Sequence, residues 1–357
     1  MIAVGTGNLL EADVDALVNT VNTEGVMGKG LALQFKRAFP DAAKAYEKAC
    51  KTGEVEIGKM FTFDRSLLRP RWLINFPTKK HWRNPSKLSY VTDGLRALVE
   101  EIGRLKISSI AVPPLGCGNG GLEWKVVRPL IVDALGGLDI RVVLFGPGEA
   151  PPPQLMVNRT VEPTLTPGLA VFLSALRQYQ ATGWDYDLTI LEVQKLAYFV
   201  HLAGGLQRLE FQPNRYGPYA DQLRQVLART EGHYTLGYGD AKISPATRIR
   251  LQEKGIEAAD EALRTQADTR EQLNEVKRLI EGFETPFGME LLATVHWSAT
   301  HLPDAPQLES VIKAVHNWST HKQKTMKPGH IAVAWERLRS LGWLERKARP
   351  AEVRAKS

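Results

Sequence analysis

The chain has 357 residues, 43% of them hydrophobic and 24% charged, with a formal net charge of +7 and a pI near 9.3. This is typical of a soluble globular protein long enough for two domains, and the positive charge favours, without requiring, a polyanionic partner. No apolar run reaches the roughly 18 residues that a membrane span needs, and no signal peptide is recognisable, so we expect a cytoplasmic protein without a membrane partner. Because Cys50 and Cys117 are its two cysteines, we expect no disulfide framework.

Short β-branched runs alternate with helical patterns over the first 148 residues. The predicted strands are Ile2–Val4, Ala16–Asn19, Met60–Phe63, Arg71–Asn75, Ser109–Val112 and Arg141–Leu144. The predicted helices are Gly30–Phe39, Asp41–Cys50, Ser89–Arg104 and Trp124–Leu135. This alternation favours an α/β domain with helices on both faces of a mixed sheet, where ligands bind at the carboxyl ends of the strands.

A proline-rich stretch then interrupts both patterns. GPGEAPPPQLMVNRTVEPTLTPG contains six prolines, so we predict a domain over residues 1–153, a linker over 154–167 and a second domain over 168–357. The second domain is predicted to be mainly α-helical. Its predicted helices cover residues 169–183, 189–205, 246–266, 269–283 and 328–344.

The first glycine-containing loop is NTVNTEGVMGKGLALQF, residues 19–35. It leaves a predicted strand, carries two asparagines and three glycines, and enters a helix. Glycine lets backbone N–H groups approach a ligand, and the start of a helix favours anionic groups. An ordinary strand-to-helix turn explains this stretch equally well, because short glycine patterns are common.

The second glycine loop, VPPLGCGNGGLEWK at residues 112–125, carries more information. Its four glycines cost backbone entropy, so a nest of main-chain donors around a diphosphate explains them better than a turn does. The glycine spacing is not that of the dinucleotide fingerprint, and the stretch lacks the Lys-Ser/Thr of a P-loop. We interpret Cys117 as a packing residue rather than a nucleophile. In a third loop, LFGPGEAP at residues 144–151, Phe145 either stacks on a base or belongs to the core.

Together these loops indicate a ligand with a diphosphate and flanking sugars or bases. The segments VNTVNTEGVMGKGLALQFKRAFP, NFPTKKHWRNPSKLSYVTDGLRAL and PPLGCGNGGLEW resemble the macrodomain family, which binds and hydrolyses ADP-ribose. Within it they are similar to the branch of terminal ADP-ribose glycohydrolases and to the DarG antitoxins, whose partner is the DNA ADP-ribosyltransferase toxin DarT. The resemblance covers about residues 1–148, and it implies an α/β macrodomain that uses no cofactor and no metal.

The resemblance also implies a set of substrate-binding residues around ADP-ribose. Asn8 stands where many macrodomains have an adenine-binding Asp, and Asn22 is expected to contact the distal ribose. The loop from Gly116 to Gly121 is expected to hold the diphosphate. The full expected set is Gly7, Asn8, Leu9, Asn19, Asn22, Met27, Gly28, Gly30, Thr78, Leu115, Gly116, Cys117, Gly118, Asn119, Gly120, Gly121, Leu122 and Phe145.

Lys80 matches the lysine that is associated with catalysis in this branch. Relatives that act on protein carboxylate esters have an Asp where this chain has Gly120, so a paired Lys/Asp mechanism cannot be carried over whole. Cleavage at an anomeric carbon passes through an oxocarbenium-like transition state, and a nearby ammonium would stabilise or protonate the departing base. A desolvated lysine could instead form a Schiff base with an opened ribose. Both routes stay open, as does a solvated surface lysine.

The neighbours of Lys80 allow several roles. Lys79 is interpreted as a solvated lysine or a phosphate contact, and His81 as a structural hydrogen-bond partner. Trp82 and Arg83 either hold the modified DNA strand by stacking and phosphate pairing, or pack the loop.

The second half carries a shorter resemblance. LTILEVQKLAYFVHLAG and FQPNRYGPYADQLRQVL are similar to antitoxin-associated domains of the Panacea type. The aromatic stripe around Tyr198 and Phe199 is expected to be core, and RYGPY a rigid helix entry. In the DarG family this half binds the toxin, and residues 260–284 are a candidate charged contact surface. A winged-helix interpretation, used for operator DNA, also remains open.

The resulting hypothesis is an antitoxin that hydrolyses ADP-ribosyl-thymidine in single-stranded DNA and binds a DarT-like toxin. The alternatives are a hydrolase of ADP-ribosylated protein and a non-catalytic ADP-ribose reader. The Gly120 position, which lacks the Asp, favours DNA over protein.

Overall fold

The structure is a computed structural model that describes residues 1–148, 156–182, 187–238, 244–264, 266–303 and 306–346. The chain divides into two compact units, Met1–Val161 and Glu162–Ser357. This division falls within the predicted linker 154–167, whose first two residues lie outside the described residues. The domain limits 1–153 and 168–357 therefore stay predictions.

The first unit is a six-stranded sheet between two layers of helices. Its strands are β1 (Ile2–Gly5), β2 (Ala16–Asn22), β3 (Phe61–Asp64), β4 (Trp72–Lys79), β5 (Ser109–Val112) and β6 (Arg141–Phe145), in the order β1-β6-β5-β2-β4-β3. Its helices are α1 (Gly30–Ala38), α2 (Pro40–Lys51), α3 (Leu88–Leu105) and α4 (Trp124–Leu135), with a 3-10 turn at Leu9–Glu11. β3 pairs antiparallel to β4 and every other pairing is parallel, so the predicted mixed sheet is confirmed.

Alternating side chains of the strands bury two separate cores. Val18, Phe76 and Ile110 point to one face, where they pack with helices α3 and α4. Leu17 and Leu73 point to the opposite face, towards α1 and the start of α2. Successive residues of a strand face opposite sides of a sheet, so these neighbours in sequence belong to different layers. This two-sided burial is what the near-continuous apolar strands of the sequence require.

The second unit is mainly helical, as predicted. Its helices are α5 (Pro167–Thr182), α6 (Ile190–Leu202), α7 (Gln222–Thr230), α8 (Glu253–Leu263), α9 (Ala267–Ile280), α10 (Pro286–Thr300), α11 (Leu308–Trp318), α12 (Thr320–Thr325) and α13 (Pro328–Ser340). Its short strands are β7 (Leu188–Thr189), β8 (Gln212–Asn214), β9 (Gly217–Tyr219), β10 (Thr235–Leu236) and β11 (Arg248–Leu251). Tyr198 and Phe199 are fully buried, which confirms the expected aromatic core.

Two predictions in this unit are wrong. The helix predicted over residues 246–266 begins only at Glu253, because Arg248–Leu251 forms strand β11 and pairs with β7 and β10. Thr265 of that prediction lies outside the described residues. RYGPY is not a helix entry: Gly217–Tyr219 is strand β9, which pairs with β8, and the helix starts later, at Gln222.

Candidate active site

The carboxyl ends of five parallel strands share one edge of the first unit's sheet. β2 ends at Asn22, β4 at Lys79 and β5 at Val112, and β2 is hydrogen-bonded to both of its neighbours. Both glycine loops leave from this edge, one after β2 and one after β5. The topology therefore brings together the segments that the sequence singled out, at the edge where open α/β sheets bind ligands.

The Asn22 side chain holds the first glycine loop in shape. Its Nδ2 donates to the Val26 carbonyl oxygen at 2.7 Å, and its Oδ1 accepts from the backbone N–H of Glu24 at 3.0 Å and of Val26 at 3.3 Å. The buried Tyr46 hydroxyl donates to the Asn22 carbonyl oxygen at 2.5 Å. Since both ends of the Asn22 amide are engaged, a contact with a ribose would share or replace one of these bonds.

The second glycine loop is tightly closed around Ser86. Ser86 N donates to the Gly120 carbonyl oxygen at 2.9 Å, and Leu122 N donates to the Gly116 carbonyl oxygen at 3.1 Å. A Cβ added at Gly120 would lie 2.1 Å from the Gly116 oxygen and 2.3 Å from Ser86 Oγ. Gly116 also has a φ of +70°, which favours glycine. Glycine is therefore required at both positions by the loop's own packing.

Cys117 lies in the same loop but is not set up as a nucleophile. Its sulfur packs against the core beneath the loop, and burial raises the pKa of the thiol to about 11. At neutral pH the thiol stays protonated, so the interpretation as a packing residue is confirmed.

Three segments converge at Asn119, the tip of the second loop. Lys79 Nζ donates to the Asn119 carbonyl oxygen at 2.5 Å. A Cβ on Gly30, at the start of α1, would lie 2.9 Å from Asn119 Nδ2. Burial, followed by the charge of Lys29, lowers the pKa of Lys79. The end of β4 and the two glycine loops thus form one continuous wall of the site.

Lys80 differs from Lys79 in exposure and in partners. Its backbone is fixed, because its carbonyl oxygen accepts from Thr23 Oγ1 at 2.8 Å and from Thr23 N at 3.3 Å. Its side chain is exposed, and the ammonium has no hydrogen-bond or ion-pair partner among the residues that the structure describes. Lys80 therefore starts from a backbone anchored to the first glycine loop and keeps an ammonium available to a ligand.

The residues expected to bind adenine follow β1, which lies two strands away from β5 in the sheet. Asn8 Oδ1 accepts from Leu10 N at 3.0 Å and caps the 3-10 turn, while its buried Nδ2 has no partner in the described chain. Phe145, at the end of β6, is 6% exposed and its ring lies against Gly5, where a Cβ would come within 2.6 Å. Phe145 therefore packs in the core at the site's border rather than standing free for stacking.

The family follows from comparison with known proteins. The Macro domain family model matches residues 18–131. The chain is 46% identical over 346 residues to the DNA ADP-ribosyl glycohydrolase of Thermus aquaticus, an alignment that covers 96% of this chain and 94% of the relative. The chain belongs to the DNA ADP-ribosyl glycohydrolase family. The relative from Mycobacterium tuberculosis is 44% identical over 356 residues, covering 95% of this chain and 99% of the relative. Among solved structures, the macrodomain of Mycobacterium tuberculosis DarG is 58% identical and covers 42% of this chain and 99% of that domain, with a TM-score of 0.41.

As a DNA ADP-ribosyl glycohydrolase the chain is a hydrolase, and its N-terminal unit is a macrodomain. The resemblance found in the sequence is confirmed. The expected site residues fall into two groups in this glycohydrolase. Gly7, Gly28, Gly118, Asn119 and Gly121 are exposed at the loops. The other group lies at or below the surface of the site: Leu9, Asn19, Asn22, Met27, Thr78, Leu115, Gly116, Gly120 and Phe145 are buried, and Asn8, Gly30, Cys117 and Leu122 are partly buried.

Four residues that the sequence did not single out support the two glycine loops and the strands beside them. Ser86 closes the second glycine loop, Tyr46 and Thr23 fix the first, and Asn75 Oδ1 accepts from Asn19 Nδ2 at 3.0 Å inside the sheet. Asn75 carried a signal, because an amide within the apolar run WLINFP needs a buried partner. Ser86, Thr23 and Tyr46 act through contacts between distant segments, which the sequence pattern does not reveal.

In the second unit, the segments LTILEVQKLAYFVHLAG and FQPNRYGPYADQLRQVL contact each other. Gln194 of α6 pairs with the backbone of Ala220, through Nε2 to the carbonyl oxygen at 3.1 Å and Oε1 from the N–H at 3.0 Å. Lys195 Nζ donates to the Pro218 carbonyl oxygen at 2.6 Å. Lys195 and Lys322 are both buried, and Lys322 pairs with Glu290 at 2.7 Å. Burial, together with the charge of Lys322, lowers the pKa of Lys195 to about 7. These groups hold the β8–β9 hairpin to the helices.

No cluster of His, Cys, Asp and Glu suited to a metal ion occurs in the described part of the chain. Over the same residues, no helix is long and apolar enough to span a membrane. A cavity of about 340 Å³ lies at the opposite edge of the first unit's sheet, between Asp13, Phe39 and Arg69. It is separate from the glycine loops.

Proposed function

We propose that this glycohydrolase is the antitoxin of a DarT-like ADP-ribosyltransferase, and that it hydrolyses the N-glycosidic bond of ADP-ribosyl-thymidine in single-stranded DNA. The observation that carries the proposal is the unpaired ammonium of Lys80 on a backbone anchored to the first glycine loop. The choice of thymidine rests on the similarity to the DarG family. The relative from Thermosipho africanus, a fusion of a DNA ADP-ribosyl transferase with a glycohydrolase, supports the pairing with a toxin.

The proposed reaction follows from this arrangement. The exposed glycines of both loops receive the diphosphate through main-chain N–H groups. The bond between the anomeric carbon and the base nitrogen breaks, and the Lys80 ammonium stabilises or protonates the departing base. Water adds its oxygen to the anomeric carbon and loses one proton. This proton returns to the Lys80 amine where the ammonium has protonated the base, and otherwise goes to the base nitrogen. The products are ADP-ribose and the unmodified base.

Lys79 is the competing amine, because its burial lowers its pKa. Its Nζ, however, is bound to the Asn119 carbonyl oxygen, so we assign it to holding the second glycine loop. Replacing Lys80 by Ala should abolish release while ADP-ribose still binds. Replacing Lys79 by Ala should weaken ADP-ribose binding and leave a measurable rate at saturation. The reverse result would assign catalysis to Lys79.

One assay separates the candidate functions. The protein is incubated with an ADP-ribosylated thymidine oligonucleotide and, in parallel, with protein that carries ADP-ribose on glutamate. We expect release from the oligonucleotide and little from the protein. Release from the protein alone would establish the protein hydrolase, and tight ADP-ribose binding without release from either would establish the reader.

The second unit is proposed to bind the toxin. The proposed contact surface is the charged stretch 260–284, which takes in the end of helix α8 and all of helix α9. A pull-down of a DarT-like toxin by the full chain, with a chain ending at residue 161 as the comparison, tests this. We expect capture by the full chain only, and the absence of a complex at micromolar concentration would refute it.

A further inference from the structure

The turn after β4 carries an exposed stack of flat side chains. Asn84 N donates to the His81 carbonyl oxygen at 3.1 Å, and Arg83 N donates to His81 Nδ1 at 3.1 Å. These bonds fix the turn directly after Lys80. The interpretation of His81 as a hydrogen-bond partner is confirmed.

Three planar groups lie together in this turn. The His81 and Trp82 rings are stacked, with centroids 5.8 Å apart and an interplanar angle of 18°. The Arg83 guanidinium carbon lies 4.6 Å from the centroid of the Trp82 ring. We call these three residues the turn stack.

Packing in the core does not explain why a tryptophan occupies position 82. Trp82 is 40% exposed, and in the described part of the first unit it belongs to none of the hydrophobic clusters that fill the two sides of the sheet. A large aromatic left at the surface forgoes burial energy, so its exposure is informative. The interpretation in which Trp82 packs the loop is therefore disfavoured by its surroundings.

The surroundings of the turn stack are positively charged. Lys80 precedes it, Arg83 is part of it, and Lys87 follows at the start of α3; all three are exposed. Lys29 lies close enough to Lys79 to lower its pKa. Glu24 is the acidic group near the stack, with its carboxylate 3.5 Å from His81 Nε2. Exposed aromatic and guanidinium planes among basic groups are the means by which proteins bind single-stranded nucleic acid.

We propose that the turn stack is a platform for the nucleotide next to the ADP-ribosylated base, with Arg83 contacting the adjoining phosphate. This inference rests on the proposed function, since it concerns the DNA strand on which that reaction takes place. It predicts a preference that the hydrolysis alone does not require. A modified base within an oligonucleotide should be a better substrate than the same base in a mononucleotide.

The test compares two substrates that share the scissile bond. Release of ADP-ribose is measured from an ADP-ribosylated thymidine oligonucleotide and from ADP-ribosylated thymidine mononucleotide, using the full chain and its Trp82→Ala variant. Loss of one base–aromatic stack should lower kcat/KM on the oligonucleotide by roughly 5- to 150-fold. The rate on the mononucleotide should stay within about twofold, because it has no neighbouring base to stack.

Two further variants sharpen the test. Trp82→Phe should recover most of the oligonucleotide rate, since any aromatic face can stack. Arg83→Ala should reduce by about one the slope of log(kcat/KM) against log[salt] on the oligonucleotide, which reports one lost phosphate contact. Phe287→Ala is the control: it removes an aromatic side chain of similar exposure (42%) in the second unit and should leave the rates on both substrates unchanged.

The outcomes separate the platform from the proposed function. An unchanged oligonucleotide rate in Trp82→Ala overturns the platform, and so does an equal loss on both substrates, which would mean that Trp82 only supports Lys80. If the parent is active on ADP-ribosylated protein and Trp82→Ala lowers that activity equally, the surface is not specific for nucleic acid. A parent inactive on both nucleotide substrates refutes the proposed function, and the platform with it.

Discussion

Substitution of Gly120 by Ala tests whether the second glycine loop is shaped by its own packing. The added Cβ would lie 2.1 Å from the Gly116 carbonyl oxygen and 2.3 Å from Ser86 Oγ, where real contacts stay beyond 3.0 Å. Backbone must therefore move by close to an ångström. That movement breaks or lengthens the bond from Ser86 N to the Gly120 oxygen. Overpacking of this kind costs about 1 to 3 kcal/mol.

At about 2 kcal/mol, the melting temperature of a unit of this size should fall by roughly 4 to 8 °C. Calorimetry on the full chain measures it, and the transition that ADP-ribose raises identifies the macrodomain. Titration calorimetry should also show ADP-ribose affinity reduced at least about tenfold, since the diphosphate donors are displaced.

Gly118→Ala is the matched control in the same loop. No heavy atom lies within 4 Å of a Cβ added there, and the residue is outside the left-handed region. The stability of the ligand-free protein should change by less than about 0.5 kcal/mol. If Gly120→Ala were as stable as Gly118→Ala and bound ADP-ribose as tightly as the parent, the packing argument would be refuted.

Three other predictions follow from buried groups. Tyr46→Phe leaves the Asn22 carbonyl oxygen without its donor and should destabilise the macrodomain by about 1 to 3 kcal/mol in urea unfolding. Tyr90→Phe, on the partly exposed side of α3, is the control and should not change the stability. Equal effects of the two substitutions would contradict a stabilising bond from Tyr46 to Asn22. The pKa of Lys195 is about 7 in the folded protein and about 10.5 in the unfolded chain, so between these pH values the side chain is neutral when folded and charged when unfolded. The free energy of unfolding of the second unit should therefore rise with pH over this range, by up to about 1.4 kcal/mol per pH unit. Lys195→Met should flatten this gain, and a slope unchanged by the substitution would count against a buried Lys195. Because burial raises the pKa of Cys117 to about 11, only roughly one thiol in three thousand is ionised at pH 7.5; iodoacetamide should label it only after unfolding in urea, and rapid labelling of the native protein would be inconsistent with its burial.

The sequence predicts the strands of the macrodomain, but it ends two of them, β2 and β4, more than one residue early. The pattern predicts ends at Asn19 and Asn75, where polar residues interrupt apolar runs, yet the strands continue to Asn22 and Lys79. Asn19 Nδ2 donates to Asn75 Oδ1 across the pair, and Asn75 Nδ2 donates to the Phe61 carbonyl oxygen, so both amides bond within the sheet and neither ends its strand. A single strand cannot show that its polar residue has a partner in the next one.

In the second unit, the helix predicted over 246–266 failed for a reason that was visible in the sequence. Arg248–Leu251 alternates exposed arginines with buried Ile249 and Leu251, the two-residue period of a strand. The surrounding helical composition outweighed this short signal. The contact of Lys195 with Pro218 was beyond prediction, since it depends on a hairpin folding back onto α6.

For the candidate active site, the sequence predicts which segments meet better than it predicts the role of each residue in those segments. The glycine loops meet at one edge because consecutive parallel strands end there, which topology alone ensures. Which amides face the ligand depends on local bonding. Asn22 is an example: its side chain bonds within its own loop, a detail set by backbone conformation rather than by composition.

The central claim is that the amine of Lys80 lies beside the sugar carbon at which the base is released. A crystal structure of the protein with bound ADP-ribose measures this directly, as the distance from Lys80 Nζ to the anomeric carbon of the distal ribose. We predict that Lys80 Nζ lies about 3.5 Å from the anomeric carbon, or that a single water molecule bridges the two atoms. An ammonium directed into bulk solvent, with Lys79 in its place at the sugar, would contradict the account.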